Sequence, residues 1–205
     1  MADQASFIPR FSDEEAGPQA RAVLAQLSDQ NALLRASLAE ARERLDAAER
    51  VADGDTLTPL PNRRRFIREL ERVTASATRH GTQAAVLYID VQCLRAINEA
   101  HGHFAGDAAL IHAARLLGGL IRTTDLAARI GNDEFALILD HLDHNSAIET
   151  ADRITRYIAA KPLDLGGTEV PLHVSIGVAA VMAGDSVDDV LRRADRNIGR
   201  AKNRD

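Results

Sequence analysis

The sequence predicts an α+β fold in which a central, mostly antiparallel sheet is flanked by helices and preceded by an N-terminal coiled-coil helix. Three observations predict it. Apolar residues recur in a heptad pattern between 24 and 48, short apolar runs alternate with amphipathic stretches beyond 53, and Gly, Asn and Asp punctuate the joints.

Residues 1–15 mix polar and apolar types without a period and read as a loose leader. Residues 16–52 read as a coiled-coil dimerisation helix: Leu24, Leu27, Asn31, Leu34, Leu38, Ala41, Leu45 and Ala48 alternate spacings of three and four. A seam this narrow needs a partner, and Asn31 at an a position suits a parallel two-stranded coil in which paired amides fix the register. Arg44 at g and Glu49 at the following e are placed for an interchain ion pair. A helix packed against its own domain is the other reading. Asp53, Gly54 and Asp55 break the helix.

Residues 53–205 then read as one domain. Helices are expected over 62–77, 94–100, 107–121, 146–159 and 187–202. Strands are expected over 84–90, 126–130, 134–139 and 172–181, with a weaker strand pair around Gly166 and Gly167. A tight turn at Gly131 and Asn132 joins the second and third strands as a hairpin.

Composition narrows the function. The chain has 205 residues, 45% of them hydrophobic, enough for one sizeable core. A net charge of −5 argues against a duplex nucleic-acid binder, which draws its affinity from clustered Lys and Arg. Aromatic content of 3% with no Trp leaves no stacking platform for single strands. No apolar run is long enough to span a membrane, and residues 1–10 lack a signal-peptide layout, so a cytoplasmic protein is expected, without membrane or nucleic-acid partners. The single cysteine, Cys93, has no intrachain partner, which fits a reducing compartment.

Asp90 closes an apolar strand, and Asp133 and Glu134 lie on the hairpin, so three carboxylates are placed to converge. Crowded carboxylates with a phosphate substrate suit Mg²⁺ or Mn²⁺; three solvated strand-end acids are the alternative. The chain has no Walker loop, but the backbone N–H groups of Cys93, Leu94 and Arg95 at a helix start are suitable phosphate donors. By spacing alone Arg122 and Asp125 are surface charges near a helix end, and His141 and His144 read as a solvated loop.

The string Arg129-Ile130-Gly131-Asn132-Asp133-Glu134-Phe135 is similar to the signature of the GGDEF family of diguanylate cyclases, with Asn132 in place of the second glycine. In the expected order, Asp55 through Arg64 resembles the family's opening motif and Asp90 through Asp107 its metal and guanine segment. Ser175-Ile176-Gly177, Ala194-Asp195 and Ala201-Lys202 complete the series. The resemblance implies a nucleotidyl-cyclase-like palm. It implies that Asp90 and Asp133 hold the cation with the Val91 carbonyl, that Glu134 sits at the metal or acts as a base, and that Asp133 and Glu134 are catalytic. Asn98 and Asp107 would bind guanine, Gly131 and Asn132 would lie against the nucleotide, and Lys202 would grip the triphosphate. A family arginine that follows is missing, with Arg204 in a different register. The implied reaction joins two GTP into cyclic di-GMP and two pyrophosphates across a homodimer. Arg122-Thr123-Thr124-Asp125 matches the RxxD site at which product inhibits. Gln92 stands where Asp is common, and Leu94-Arg95 where Phe-Lys is usual. A catalytically silent receptor for cyclic di-GMP is the competing expectation.

Overall fold

The computed structural model describes residues 17–201; the side chains of 19, 45–51 and 199–201 lie outside that description, as do the leader, Lys202 and Arg204. The chain divides between Ala52 and Asp53 into two compact units.

The first unit is built on α1 (Pro18–Asp53), one continuous helix of 36 residues. Leu24, Leu27, Leu34 and Leu38 are each at least half exposed on it. Arg44 pairs with Glu40 of its own helix at 2.6 Å, an i,i+4 contact; the side chain of Glu49, the residue expected to meet Arg44 of another chain, lies outside the described residues. Among the described residues no helix is long and apolar enough to cross a membrane.

The second unit begins with α2 (Arg63–His80). Asn62 caps it, its side-chain oxygen accepting from the Arg65 N–H at 3.1 Å, and Gly81 at φ 64° ends it in the left-handed region that favours glycine. There follow β1 (Ala84–Val91), α3 (Leu94–His101), α4 (His103–Leu120), β2 (Leu126–Arg129), β3 (Glu134–Asp140), α5 (His144–Ala159), the short pair β4 (Leu163–Asp164) and β5 (Glu169–Val170), β6 (Val174–Ala180) and α6 (Val187–Ala201). The main sheet has the order β2-β3-β1-β6 and is antiparallel throughout.

Residues on β1 alternate between two cores. Ala85, Leu87, Ile89 and Val91 pack with α3, α4 and α5, while Ala84, Val86 and Tyr88 face α2 and α6. A central strand covered on both sides reads as an unbroken apolar run, which is what 84–90 shows. Phe66 and Phe135, fully buried on opposite faces, each contribute about 1.5–3 kcal/mol by their burial.

Element ends differ from expectation for local reasons. Gly102, at φ 85°, ends α3 and starts α4 at once, so α4 begins at His103 rather than at 107. Asp143 caps α5 by accepting from the N–H groups of Asn145 and Ser146 at 2.9 and 3.1 Å, moving its start ahead of 146. β6 is shorter than 172–181, although Leu172 and Val181 remain buried beside it.

Candidate functional site

At one end of the sheet Asp90 on β1 stands opposite Glu134 on β3 and Ser175 on β6. Strand alternation from Val86 and Tyr88 places Asp90 on the α2/α6 face. The turn between β2 and β3 spans Ile130 to Asp133, longer than the two-residue turn the sequence predicts. Ile130 and Gly131 both donate to the Glu134 carbonyl, at 2.9 and 3.2 Å, and the Val91 N–H donates to the Asp133 carbonyl at 2.9 Å. The turn is thereby stitched to the end of β1.

Gly131 is required by a close approach: a Cβ there would lie 2.0 Å from Glu134 Oε2. Asn132 is a different case. Its tolerance of positive φ is not called upon, because Cys93 and His141 are the non-glycine residues with positive φ among those described. The Asn132 carbonyl accepts from Arg129 Nη2 at 2.7 Å and its side chain is exposed.

The acids at this end are individually held. Gln92 Nε2 donates to Asp90 Oδ1 at 2.8 Å. Burial, with the Glu134 carboxylate next, pushes the Tyr88 hydroxyl pKa well above the usual tyrosine value. Asp133 sits in the turn and lines a cleft on the other side of it, with Asn98. The expected convergence of three acids is therefore not formed: among the described residues no group of three or more His, Cys, Asp or Glu stands close enough to hold a metal. The donors that are present, carboxylates and the Val91 carbonyl, are hard oxygens and fit Mg²⁺ or Mn²⁺ rather than zinc.

The cleft, about 520 Å³, is lined by Leu94, Arg95, Asn98, Glu99, His103 and Asp133. Asn98 lines the cleft, while its Oδ1 is buried from solvent towards Gly106 without a hydrogen-bond partner, so the amide must turn to meet a ligand N–H. Gly106 makes room for it, since a Cβ at that position would lie 2.1 Å from Asn98 Oδ1. Asp107 follows on α4 with an exposed side chain and is not among the lining residues. Cys93, exposed and at φ 63°, gives α3 no side-chain cap, so no side chain of its own satisfies the first N–H groups of that helix. The Arg95 side chain pairs with Glu99 at 2.8 Å.

Arg122 and Asp125 lie in the turn between α4 and β2. Asp125 accepts from the Arg122 N–H at 3.0 Å and from the Asp140 N–H at 3.3 Å, so its carboxylate braces the turn against β3. Both residues line a second cavity, about 400 Å³, to which α5 adds Arg153 and Arg156. Sequence reasoning missed that pair. Its one signal is an i,i+3 spacing on a helix whose facing element is not evident from sequence.

The opening motif is a brace. Asp55 Oδ1 accepts from the N–H groups of Leu57 and Thr58, from the Thr58 hydroxyl at 2.8 Å and from Arg129 Nη1 at 3.3 Å. Burial pushes the Asp55 carboxyl up, but the Thr58 hydrogen bonds and the Arg129 guanidinium outweigh it and hold the group below the usual carboxylate range. Arg129 thus spans from Asp55 to Asn132, and Arg63 Nη1 donates to the Ile130 carbonyl at 3.3 Å.

The family described as diguanylate cyclase, GGDEF domain, matches residues 52–205. The diguanylate cyclase TpbB of Pseudomonas aeruginosa is 41% identical over 130 residues, covering 62% of this chain and 30% of TpbB. The response regulator PleD of Caulobacter vibrioides is 33% identical over 164 residues, covering 78% of this chain and 36% of PleD. The chain therefore spans about a third of the length of these relatives. Among solved structures, the coiled coil and GGDEF domain of DgcB from Caulobacter crescentus, in complex with c-di-GMP, superposes with a TM-score of 0.74 at 29% identity, covering 88% of this chain and 94% of that one. The diguanylate cyclase SiaD of Pseudomonas aeruginosa, in complex with its activator SiaC, has a TM-score of 0.77 at 25% identity, covering 91% of this chain and 73% of that one.

Proposed function

Because the chain belongs to the GGDEF-domain family of diguanylate cyclases, we propose that it condenses two GTP into cyclic di-GMP and two pyrophosphates. The observation that carries this reading is that Asn98 and Asp133 line one cleft, close to the strand ends where Asp90 and Glu134 stand opposite each other.

Asn98 takes the guanine edge, with Asp107 as the acceptor for guanine N–H groups and a source of preference for GTP over ATP. The uncapped start of α3, through the N–H groups of Cys93, Leu94 and Arg95, receives phosphate oxygens, and Lys202 adds a point charge on the triphosphate. Gly131 and Asn132 border the nucleotide. In each half-reaction the 3′-oxygen of one GTP attacks the α-phosphorus of the other, the bond to pyrophosphate breaks, and the hydroxyl proton passes to a carboxylate, for which Glu134 is the candidate. Asp90, Asp133 and the Val91 carbonyl would hold Mg²⁺ or Mn²⁺, with Glu134 at the metal or as the base; the cation when bound supplies charge stabilisation at the phosphate oxygens.

One cleft binds one GTP, so the reaction needs two domains. The exposed leucines of α1 supply a reason for two chains to pair in parallel, which raises the effective concentration of the second domain. The cavity at Arg122, Asp125 and Arg153 suits an anionic product with guanine edges and supports feedback inhibition.

A second reading is favoured by Asn132 and by Gln92: a GGDEF domain that no longer turns over GTP and serves as a cyclic di-GMP receptor through Arg122 and Asp125. Incubating the protein, stripped of bound nucleotide, with GTP and Mg²⁺ and resolving the products by chromatography separates the two. Cyclic di-GMP is expected. Its absence, with tight cyclic di-GMP binding by calorimetry, selects the receptor.

A further inference from the structure

The cleft beside the turn holds an ion pair that has no part in the reaction as described. Arg95, in the first turn of α3, donates from Nε to Glu99 Oε1 at 2.8 Å, one turn further along the helix, and both residues line the cleft with Asn98, His103 and Asp133. We infer that Glu99 determines the affinity of this cleft for its anionic ligand, as a latch that holds the Arg95 guanidinium until the triphosphate of a nucleotide takes it over. The inference rests on the GTP-binding function proposed above.

The pair is poorly placed to stabilise its own helix. An i,i+4 ion pair favours a helix most when the acid precedes the base, and here the base comes first. A cation in the first turn also meets the positive end of the helix dipole, and α3 has neither an acid in that turn nor a side-chain cap to offset it. What disfavours a cation at that point favours an anion beside it, since the guanidinium and the uncapped N–H groups add to one positive field at the cleft. Among the residues that line the cleft Arg95 is the permanent cation, set against the carboxylates of Glu99 and Asp133. The Arg95 side chain is 92% exposed and that of Glu99 65%, so water screens the pair and little holds it closed. A triphosphate carries several negative charges where Glu99 carries one, and a guanidinium forks onto phosphate oxygens as well as onto a carboxylate.

The test measures binding, not turnover. Calorimetry with the full chain, stripped of bound nucleotide, gives the affinity for a non-hydrolysable GTP analogue with Mg²⁺ in the wild type, Glu99→Gln, Arg95→Gln and the double variant. Both side chains stand in solvent, so the variants are expected to keep the wild-type unfolding midpoint. Glu99→Gln is expected to bind the analogue about two- to fivefold more tightly, the scale of one exposed ion pair released. Arg95→Gln is expected to bind it about tenfold more weakly, the scale of a lost hydrogen bond to a charged group. The gain from Glu99→Gln is expected to vanish once Arg95 is Gln, because the latch has nothing left to hold. If the gain persists in that background, Glu99 acts by repulsion alone and the latch is wrong, while the cyclase reading stands. An unchanged or weaker affinity in Glu99→Gln overturns the latch equally. If neither the wild type nor Glu99→Gln binds the analogue, both readings fall.

Discussion

Gly106 packs closely against Asn98 behind the cleft, and the pair allows stability and ligand binding to be separated. A methyl group at Gly106 would meet the end of a flexible amide, so Gly106→Ala displaces Asn98 rather than the backbone. Replacing glycine inside α4 also favours the helix by up to about 1 kcal/mol. The expected outcome is an unfolding midpoint that holds or rises together with GTP affinity that falls about tenfold, read by thermal denaturation and calorimetry. Asn132→Gly is expected to act in the reverse sense. It removes an exposed side chain beside the proposed nucleotide site, which should lower KM for GTP severalfold in a steady-state assay, and costs about 0.5–1 kcal/mol in added freedom of the unfolded chain. Asp90 and Glu134 are legible as strand-end acids and stand opposite each other, whereas Asp133, in the turn, lines a separate cleft that the sequence did not distinguish. The approach of Arg153 to Arg122 and Asp125 was not legible, since it depends on which helix faces which cavity, and that is not written in local spacing.

Among the elements, α6 approaches β6 most closely at Gly177, where a Cβ would lie 2.0 Å from the Ala194 carbonyl and 2.7 Å from the Ile198 nitrogen. These are backbone atoms of a helix and cannot turn aside. Gly177→Ala is expected to destabilise the domain by about 1–3 kcal/mol, a lowered midpoint in denaturant unfolding. Next to that contact the same helix is secured by Arg193, which donates to both Asp185 oxygens at 2.8 and 2.5 Å. The Arg193 hydrogen bonds hold the Asp185 carboxyl below its ordinary range, as Thr58 and Arg129 do for Asp55 against the effect of burial. A carboxylate with a depressed folded pKa stabilises fully above its unfolded value of about 4 and loses that contribution as pH falls through the folded value. Stability is therefore expected to drop below about pH 4, and Asp185→Asn to flatten part of that acid limb in urea titrations at successive pH. Element identity was legible from periodicity. Element ends were not, because a cap such as Asp143 or a junction such as Gly102 acts by one backbone conformation that the apolar pattern does not register.

At the scale of the molecule, the half-exposed leucines of α1 are the largest unsatisfied apolar feature, and a second copy in parallel register is the partner proposed for them. Sedimentation of the full chain should give a dimer. Leu27→Lys with Leu34→Lys, which buries charge in the seam, should give a monomer whose thermal unfolding of residues 53–205 is unchanged and whose cyclic di-GMP output per chain drops by an order of magnitude or more at micromolar protein.

The stretch from Asp53 to Asn62 leaves little slack. Asp53 is gripped by Arg64 and Arg68, Asn62 donates from its N–H to the Asp53 carbonyl at 2.8 Å, and Asp55 is locked to Thr58 and Arg129. The Arg129 guanidinium that holds Asp55 also holds the Asn132 carbonyl, so this stretch and the β2–β3 turn share one side chain as their link.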